Sequence, residues 1–197
     1  RLMHGLINRT IQCFANDTYD AAVWLAATEA AGLKVSEFEA MLTYDDSSTR
    51  ALLKALSDQV GMPQDAILED IGTYLVSHKN SEAVRRLLRF GGVNFVDFLH
   101  SLDDLPDRTR LAVADLELPK LELREHAIDQ FSLTVEGRLQ GYGAVLIGVL
   151  RAMADDYGVL VILEHLPNRN GAEIIEIRVI ETAFAAGRGF ELGAMNG

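Results

Sequence analysis

The apolar residues of this chain change their spacing part-way along, and that change constrains the fold more than any other feature. Up to about residue 115 they recur every three or four positions, as along one side of a helix; from about residue 119 they alternate with polar residues, as on a half-buried strand. Each pattern must bury its own apolar side, so the arrangement that satisfies both is α+β. The sequence therefore predicts a helical N-terminal lobe, approximately 3–115, and a C-terminal lobe, 116–182, with a small antiparallel sheet and a long helix. Both lobes are expected within a single domain spanning 1–197, with 183–197 as a tail.

Local signals divide the helical lobe. Leu6, Ile7, Ile11 and Phe14 share a helix face, and Asn16-Asp17-Thr18 offers capping side chains for a second helix that Gly32 ends. Asp45-Asp46-Ser47 opens another that stops near Gly61, and Pro63 suits the first turn of a helix carrying Ala66, Ile67, Ile71 and Leu75. A short helix from Asn80-Ser81-Glu82 is ended by Gly91-Gly92, ahead of an apolar face of Phe95, Phe98, Leu99 and Leu102. Pro106 lacks an amide hydrogen and clashes with the preceding turn, so it breaks that helix or starts a new one, Asp107 to Val113.

In the second lobe, Leu121-Glu122-Leu123 and Phe131 to Val135 read as strands, followed by a helix from Gly141 to Tyr157 whose glycines suit close packing on the sheet. Val159 to Leu163 and Ile174 to Ile180 read as two more strands, joined across the strong hairpin signal Asn170-Gly171. Arg1-Leu2, before Met3, reads as a vector-derived leader, and the Gly- and Ala-rich stretch from Ala183 to Gly197 as a short tail or the edge of a longer protein.

Charge and composition exclude several classes. A net charge of -11 argues against nucleic acid or an anionic membrane as partner, because binding phosphates requires clustered Lys and Arg, and Arg85-Arg86 with Arg89 fits one solvated helix face. No apolar run is long enough to span a bilayer, and a cytoplasmic location is expected. The single cysteine, Cys13, rules out an internal disulfide framework and lies in an apolar helix as a buried, inert thiol.

Catalytic motifs are incomplete. Gly141-Tyr142-Gly143 with Gly148 has its third glycine too late for a dinucleotide loop, and Asp103-Asp104 with Asp107 reads as caps and solvated charge around a helix break. No nucleophile, base and acid stand in a recognisable arrangement, so the chain is not expected to be an enzyme.

Several stretches, in order, resemble the heme nitric oxide/oxygen binding (H-NOX) family: Met3-His4-Gly5-Leu6-Ile7-Asn8, Tyr19 to Trp24, Gly32-Leu33, Tyr44-Asp45-Asp46, Gly72-Thr73-Tyr74-Leu75 and Leu87-Leu88-Arg89. Phe98-Leu99, Leu102-Asp103, Leu118-Pro119 and the helix start from Gly141 to Gly148 continue the series, so the similarity covers about residues 3 to 181. The resemblance implies a helical distal lobe and a mixed proximal lobe with heme between them. It also implies pocket-lining roles for Ile7, Ile11, Leu75, His78, Leu99, Pro106 and Pro119.

Two expected pieces of such a site are missing. Pro106 stands where the resemblance calls for the iron-ligating histidine, and proline cannot ligate iron. The Tyr-x-Ser-x-Arg motif that hydrogen-bonds the heme propionates falls on Val135, Gly137 and Leu139, while Arg138 is one residue off and, on a strand, would point the opposite way. His100, six residues before Pro106, would lie about 120° away around a continuous helix, so Leu99, Leu102 and Asp103 share the ligand's face instead. His78 reads as a helix C-terminal residue bordering the distal side; His4 falls at a variable family position, and His126 and His165 read as solvent contacts.

The expectation is a sensory module of bacterial type with a degenerate heme site, which takes heme without the usual bond, another apolar small molecule, or nothing. A signalling partner such as a histidine kinase or a cyclic-nucleotide enzyme is implied by the resemblance. Two alternatives stay open: a heme-dependent gas sensor using His78 or His100 as an unorthodox metal ligand, and a ligand-free interaction domain whose pocket is filled by its own side chains.

Overall fold

The change of period coincides with a change of backbone type. A computed structural model of the protein describes residues 2–180, and the tail expected at 183–197 lies outside them. The first part runs β1 (Leu2–His4), α1 (Gly5–Thr18), α2 (Ala21–Ala30), β2 (Thr43–Asp45), α3 (Asp46–Val60), α4 (Gln64–Ser77), α5 (Glu82–Arg89), α6 (Phe95–Ser101) and α7 (Leu105–Ala112). The second runs β3 (Lys120–Ala127), β4 (Gln130–Glu136), α8 (Tyr142–Tyr157), β5 (Val161–Arg169) and β6 (Ala172–Val179).

Caps explain most helix ends. Asp45 accepts the Ser47 amide at 3.0 Å to start α3, and Gly61, at φ 68°, closes it in the left-handed conformation that a side chain would resist. The cap of α2 is Asp20, whose carboxylate accepts the Val23 amide at 2.8 Å, and not Asn16-Asp17-Thr18, which stay inside the longer α1. Asp17 is engaged elsewhere: it accepts the Tyr74 hydroxyl at 2.7 Å and the Asn80 amide at 2.9 Å. Those two bonds, the Tyr74 bond foremost, hold its carboxyl below the usual range.

The segment around Pro106 is not one helix. α6 ends at Ser101, a 3-10 turn covers Leu102–Asp104, and Pro106 sits in the first turn of α7, where its missing amide costs nothing. The small β1–β2 ladder, with Met3 opposite Tyr44, is too short for any period to announce.

The sheet has the order β3-β4-β6-β5 and is antiparallel throughout, with Leu133 lying between Leu123 and Ile175. The expected Asn170-Gly171 turn joins β5 to β6 with both residues at positive φ, 59° and 85°, as the right-handed twist of a two-residue hairpin demands. Phe131, Leu133, Val135, Ile175 and Ile177 are buried in one cluster with Leu150 and Met153 of α8.

Burial divides the chain at a different place from the period. Phe14, Trp24, Phe38, Leu52, Leu56 and Ile67 form one core among α1 to α4. Phe95, Phe98, Leu99 and Leu102 join the sheet and α8 in the other, so the boundary between cores falls within α4, where Tyr74 belongs to the first and Val76 to the second. Period reports backbone type; it says nothing of what an apolar face touches.

The two cores are tied by a close crossing of α4 and α8. A Cβ added to Gly72 would stand 2.0 Å from the Val145 carbonyl oxygen, and one added to Gly148 would stand 1.9 Å from that of Glu69. Gly148 therefore serves the α4 contact and not the sheet. Gly143, by contrast, does pack on the sheet, where an added Cβ would meet Glu173 at 2.6 Å and His165 at 2.7 Å.

Candidate ligand-binding site

Beside that crossing the two lobes separate around an apolar chamber of about 310 Å3. Helix periodicity builds its walls. Ile7 and Ile11 come from α1; Leu68, Ile71 and Leu75 from α4; Leu105 and Thr109 from α7; Val145 and Val149 from α8. Leu121 of β3 and Leu116 complete the lining. The chamber adjoins a more polar antechamber of about 350 Å3, edged by Met3, His4, Thr43, Asp115, Glu117 and Arg138. Ile7, Leu118, Pro119, Leu139 and Tyr142 line both spaces.

Of the residues implied as pocket lining, Ile7, Ile11, Leu75 and Pro119 meet on these walls. Leu99 does not: it is fully buried in the core shared with the sheet, because α6 turns its apolar face there. Pro106 is half-buried beside the wall, which α7 presents through Leu105 and Thr109. His78 lies outside the chamber as the C-cap of α4, stacked on Tyr74 at 4.7 Å between ring centres and 3.8 Å from the Asp17 carboxylate. His100 is exposed beside the sheet, 3.5 Å from Glu125. It and Pro106 belong to different helices, so the angle expected around one continuous helix does not apply; the intervening 3-10 turn decides their relation.

The propionate-motif positions also part company. Val135 is buried in the sheet core, whereas Gly137 and Leu139 reach the antechamber. Arg138 reaches it too, contrary to the strand alternation, because β4 ends at Glu136 and residues 137–141 turn toward α8. Its guanidinium lies 3.7 Å from Glu117. His165 is no simple solvent contact, since it hydrogen-bonds Glu173 at 3.0 Å, and Glu173 also accepts the Gly143 amide at 3.1 Å at the start of α8.

Sequence reasoning missed His4 and Tyr142. His4 is 8% exposed and caps α1: its Nδ1 accepts the Leu6 amide at 3.1 Å. A ring nitrogen that accepts carries no proton, so in the neutral ring the proton sits on Nε2, which becomes a donor at the antechamber. Burial pushes the Tyr142 hydroxyl up to about 12, so it too stays a donor at neutral pH. The only sequence signal for His4 was its place just before a helix, where a histidine is an uncommon cap.

These features can be tested against the family. The haem-NO-binding family model matches residues 4–165, and the chain belongs to that family. Among curated relatives, the soluble guanylate cyclase gcy-31 of Caenorhabditis elegans is 22% identical over 154 residues, which is 78% of this chain and 22% of the worm protein. The soluble guanylate cyclase 89Db of Drosophila melanogaster is 21% identical over 155 residues, 79% of this chain and 23% of that one. The chain thus spans less than a quarter of the length of these relatives. An H-NOX protein from S. oneidensis in the Fe(II)NO state shares the fold with a TM-score of 0.76 at 15% identity, covering 91% of this chain and 100% of that one. An unliganded Fe(II) H-NOX variant from K. algicida does so with a TM-score of 0.78 at 17% identity, covering 92% and 99%.

The family's heme fits these residues only in part. The chamber walls suit an apolar guest, but among the described residues no histidine, cysteine or methionine lines the chamber. His4, at the antechamber, has its acceptor nitrogen committed to Leu6. No group of three or more His, Cys, Asp or Glu among the described residues is placed to hold a metal ion. The described residues of the chamber therefore offer heme iron no histidine, cysteine or methionine ligand.

Proposed function

We propose that this chain is the sensory module of a signalling system, with the H-NOX fold and a chamber whose occupant is held by burial and hydrogen bonds instead of an iron bond. The observation that carries this reading is the makeup of the α7 wall: Leu105 and Thr109 face the chamber, and Pro106 holds the position that the family resemblance assigns to the iron ligand. An occupant would touch α1 and α4 on one side and α7, β3 and α8 on the other. Binding would then bias the angle between the lobes about the Gly72–Gly148 crossing. The module itself carries out no reaction; its output passes in the cytoplasm to a signalling enzyme such as a histidine kinase or a cyclic-nucleotide enzyme. Relatives named as guanylate cyclases, of which the matched part is 22–23%, support that division of labour.

The test mixes purified protein with reduced heme and records the visible spectrum with and without nitric oxide. The expected spectrum lacks a sharp histidine-ligated Soret band, whereas Pro106→His develops one. A sharp band in the unaltered protein that vanishes in His4→Ala, His78→Ala or His100→Ala would overturn the reading in favour of a gas sensor with an unorthodox ligand.

A further inference from the structure

We propose that the chamber and its antechamber form one site for an amphiphilic monocarboxylate, with the acyl chain in the chamber and the carboxylate among His4, Arg138 and Tyr142. The inference rests on the reading that iron does not anchor the occupant, and deepens it by naming the ligand class.

An apolar space and a mixed polar and apolar one meet at a shared wall. The chamber is walled by aliphatic side chains, so the favourable guest is apolar along its length and loses water on entry. The antechamber lining includes three residues that carry donors: Arg138, Tyr142 and His4. His4 is the strongest sign of a built site. It is 8% exposed, its Nδ1 is fixed by the Leu6 amide, and its Nε2 makes no hydrogen bond to another described residue while the ring edges the cavity. A donor held so firmly, with no acceptor among the described residues, can meet one on a guest.

The charges at the mouth favour one carboxylate over two or none. Arg138, with 35% of its side chain exposed, faces Glu117, whose side chain is 82% exposed. An ion pair with so solvated a partner contributes little, so a ligand carboxylate held in place by its own buried chain can share the guanidinium. Asp115 and Glu117 sit exposed on the rim, where water screens them, and Arg138 is the one guanidinium on the lining among the described residues, which matches a single carboxylate. Gly137 keeps the passage open: an added Cβ would lie 3.0 Å from Pro119 and 3.5 Å from the Tyr142 ring.

The test titrates the protein with dodecanoate and separately with dodecanol, by calorimetry, at concentrations below self-association. The expected result is one dodecanoate per chain, bound at least about tenfold more tightly than dodecanol. Arg138→Ala and Tyr142→Phe should remove that preference, and Leu75→Trp, which fills the chamber, should abolish binding of both. Melting curves confirm that each variant is folded. Absence of dodecanoate binding, equal affinity for the two probes, a preference that survives both mouth variants, or binding that survives Leu75→Trp in a folded protein would overturn the proposal. A ligated Soret band in the heme experiment would instead signal failure of the underlying reading, so the two failures are distinguishable.

Discussion

At the α4–α8 crossing the lobes touch backbone to backbone, yet on the neighbouring faces of the same two helices they stand apart around the chamber. Gly72 and Gly148 serve the first contact, while Ile71, Leu75, Val145 and Val149, each one to three residues away, face the second. Adjacent helix positions point in different directions, so one pair of helices can be locked on one side and open on another. The contrast teaches that the open region is not a loosely made part of the fold. It is held open beside a contact too close to collapse, which is what a ligand chamber needs.

The largest effect should come from closing the gap that the glycines leave. Gly148→Ala must displace the Glu69 carbonyl, a backbone atom that cannot swing aside, and we expect a loss of about 3 kcal/mol or more in thermal or urea unfolding. An unaltered melting curve would break the idea of a locked crossing.

Paired truncations sharpen the same comparison. Leu99→Ala, in the closed core, should cost about 2–5 kcal/mol because its cavity has no way to relax. Leu75→Ala borders space that already exists and should cost well under half as much, read in the same denaturation series. Equal losses would mean that the chamber wall is packed like the core.

A smaller effect is expected on the outer side of α4, where Asp17→Ala removes the acceptor of Tyr74 and Asn80 and should cost about 1 kcal/mol at neutral pH. Because those bonds hold the Asp17 carboxyl below its ordinary value, its stabilisation is present above that value and lost as pH falls through the lowered one. The difference between the two proteins should therefore shrink below about pH 4; a difference that stays constant into stronger acid would remove the carboxylate from the account.

Much of the fold was legible because its causes are local. Asp45 and Gly61 frame α3 by capping, Asn170-Gly171 sets the hairpin by its left-handed preference, and the change of period separates helices from sheet. The apolar wall was legible in part for the same reason: Ile7, Ile11 and Leu75 lie on helix faces that the period marks. Leu99 shares that pattern and faces the other core, since period identifies an apolar face but not its neighbour. Arg138 was misplaced because the alternation of a strand was extended past Glu136, where the strand stops.

The sequence by itself determined the elements, most of their ends, the family to which they point and the lack of a histidine at Pro106. Only the tertiary structure decided which residues come together: Gly72 and Gly148 at one crossing, His4 and Arg138 on the lining of one cavity, and a core boundary inside α4. The physical reason is range. Capping, turns and periodicity act within a few residues, whereas residues 76 or 134 positions apart come to one crossing or one cavity only after both lobes have packed.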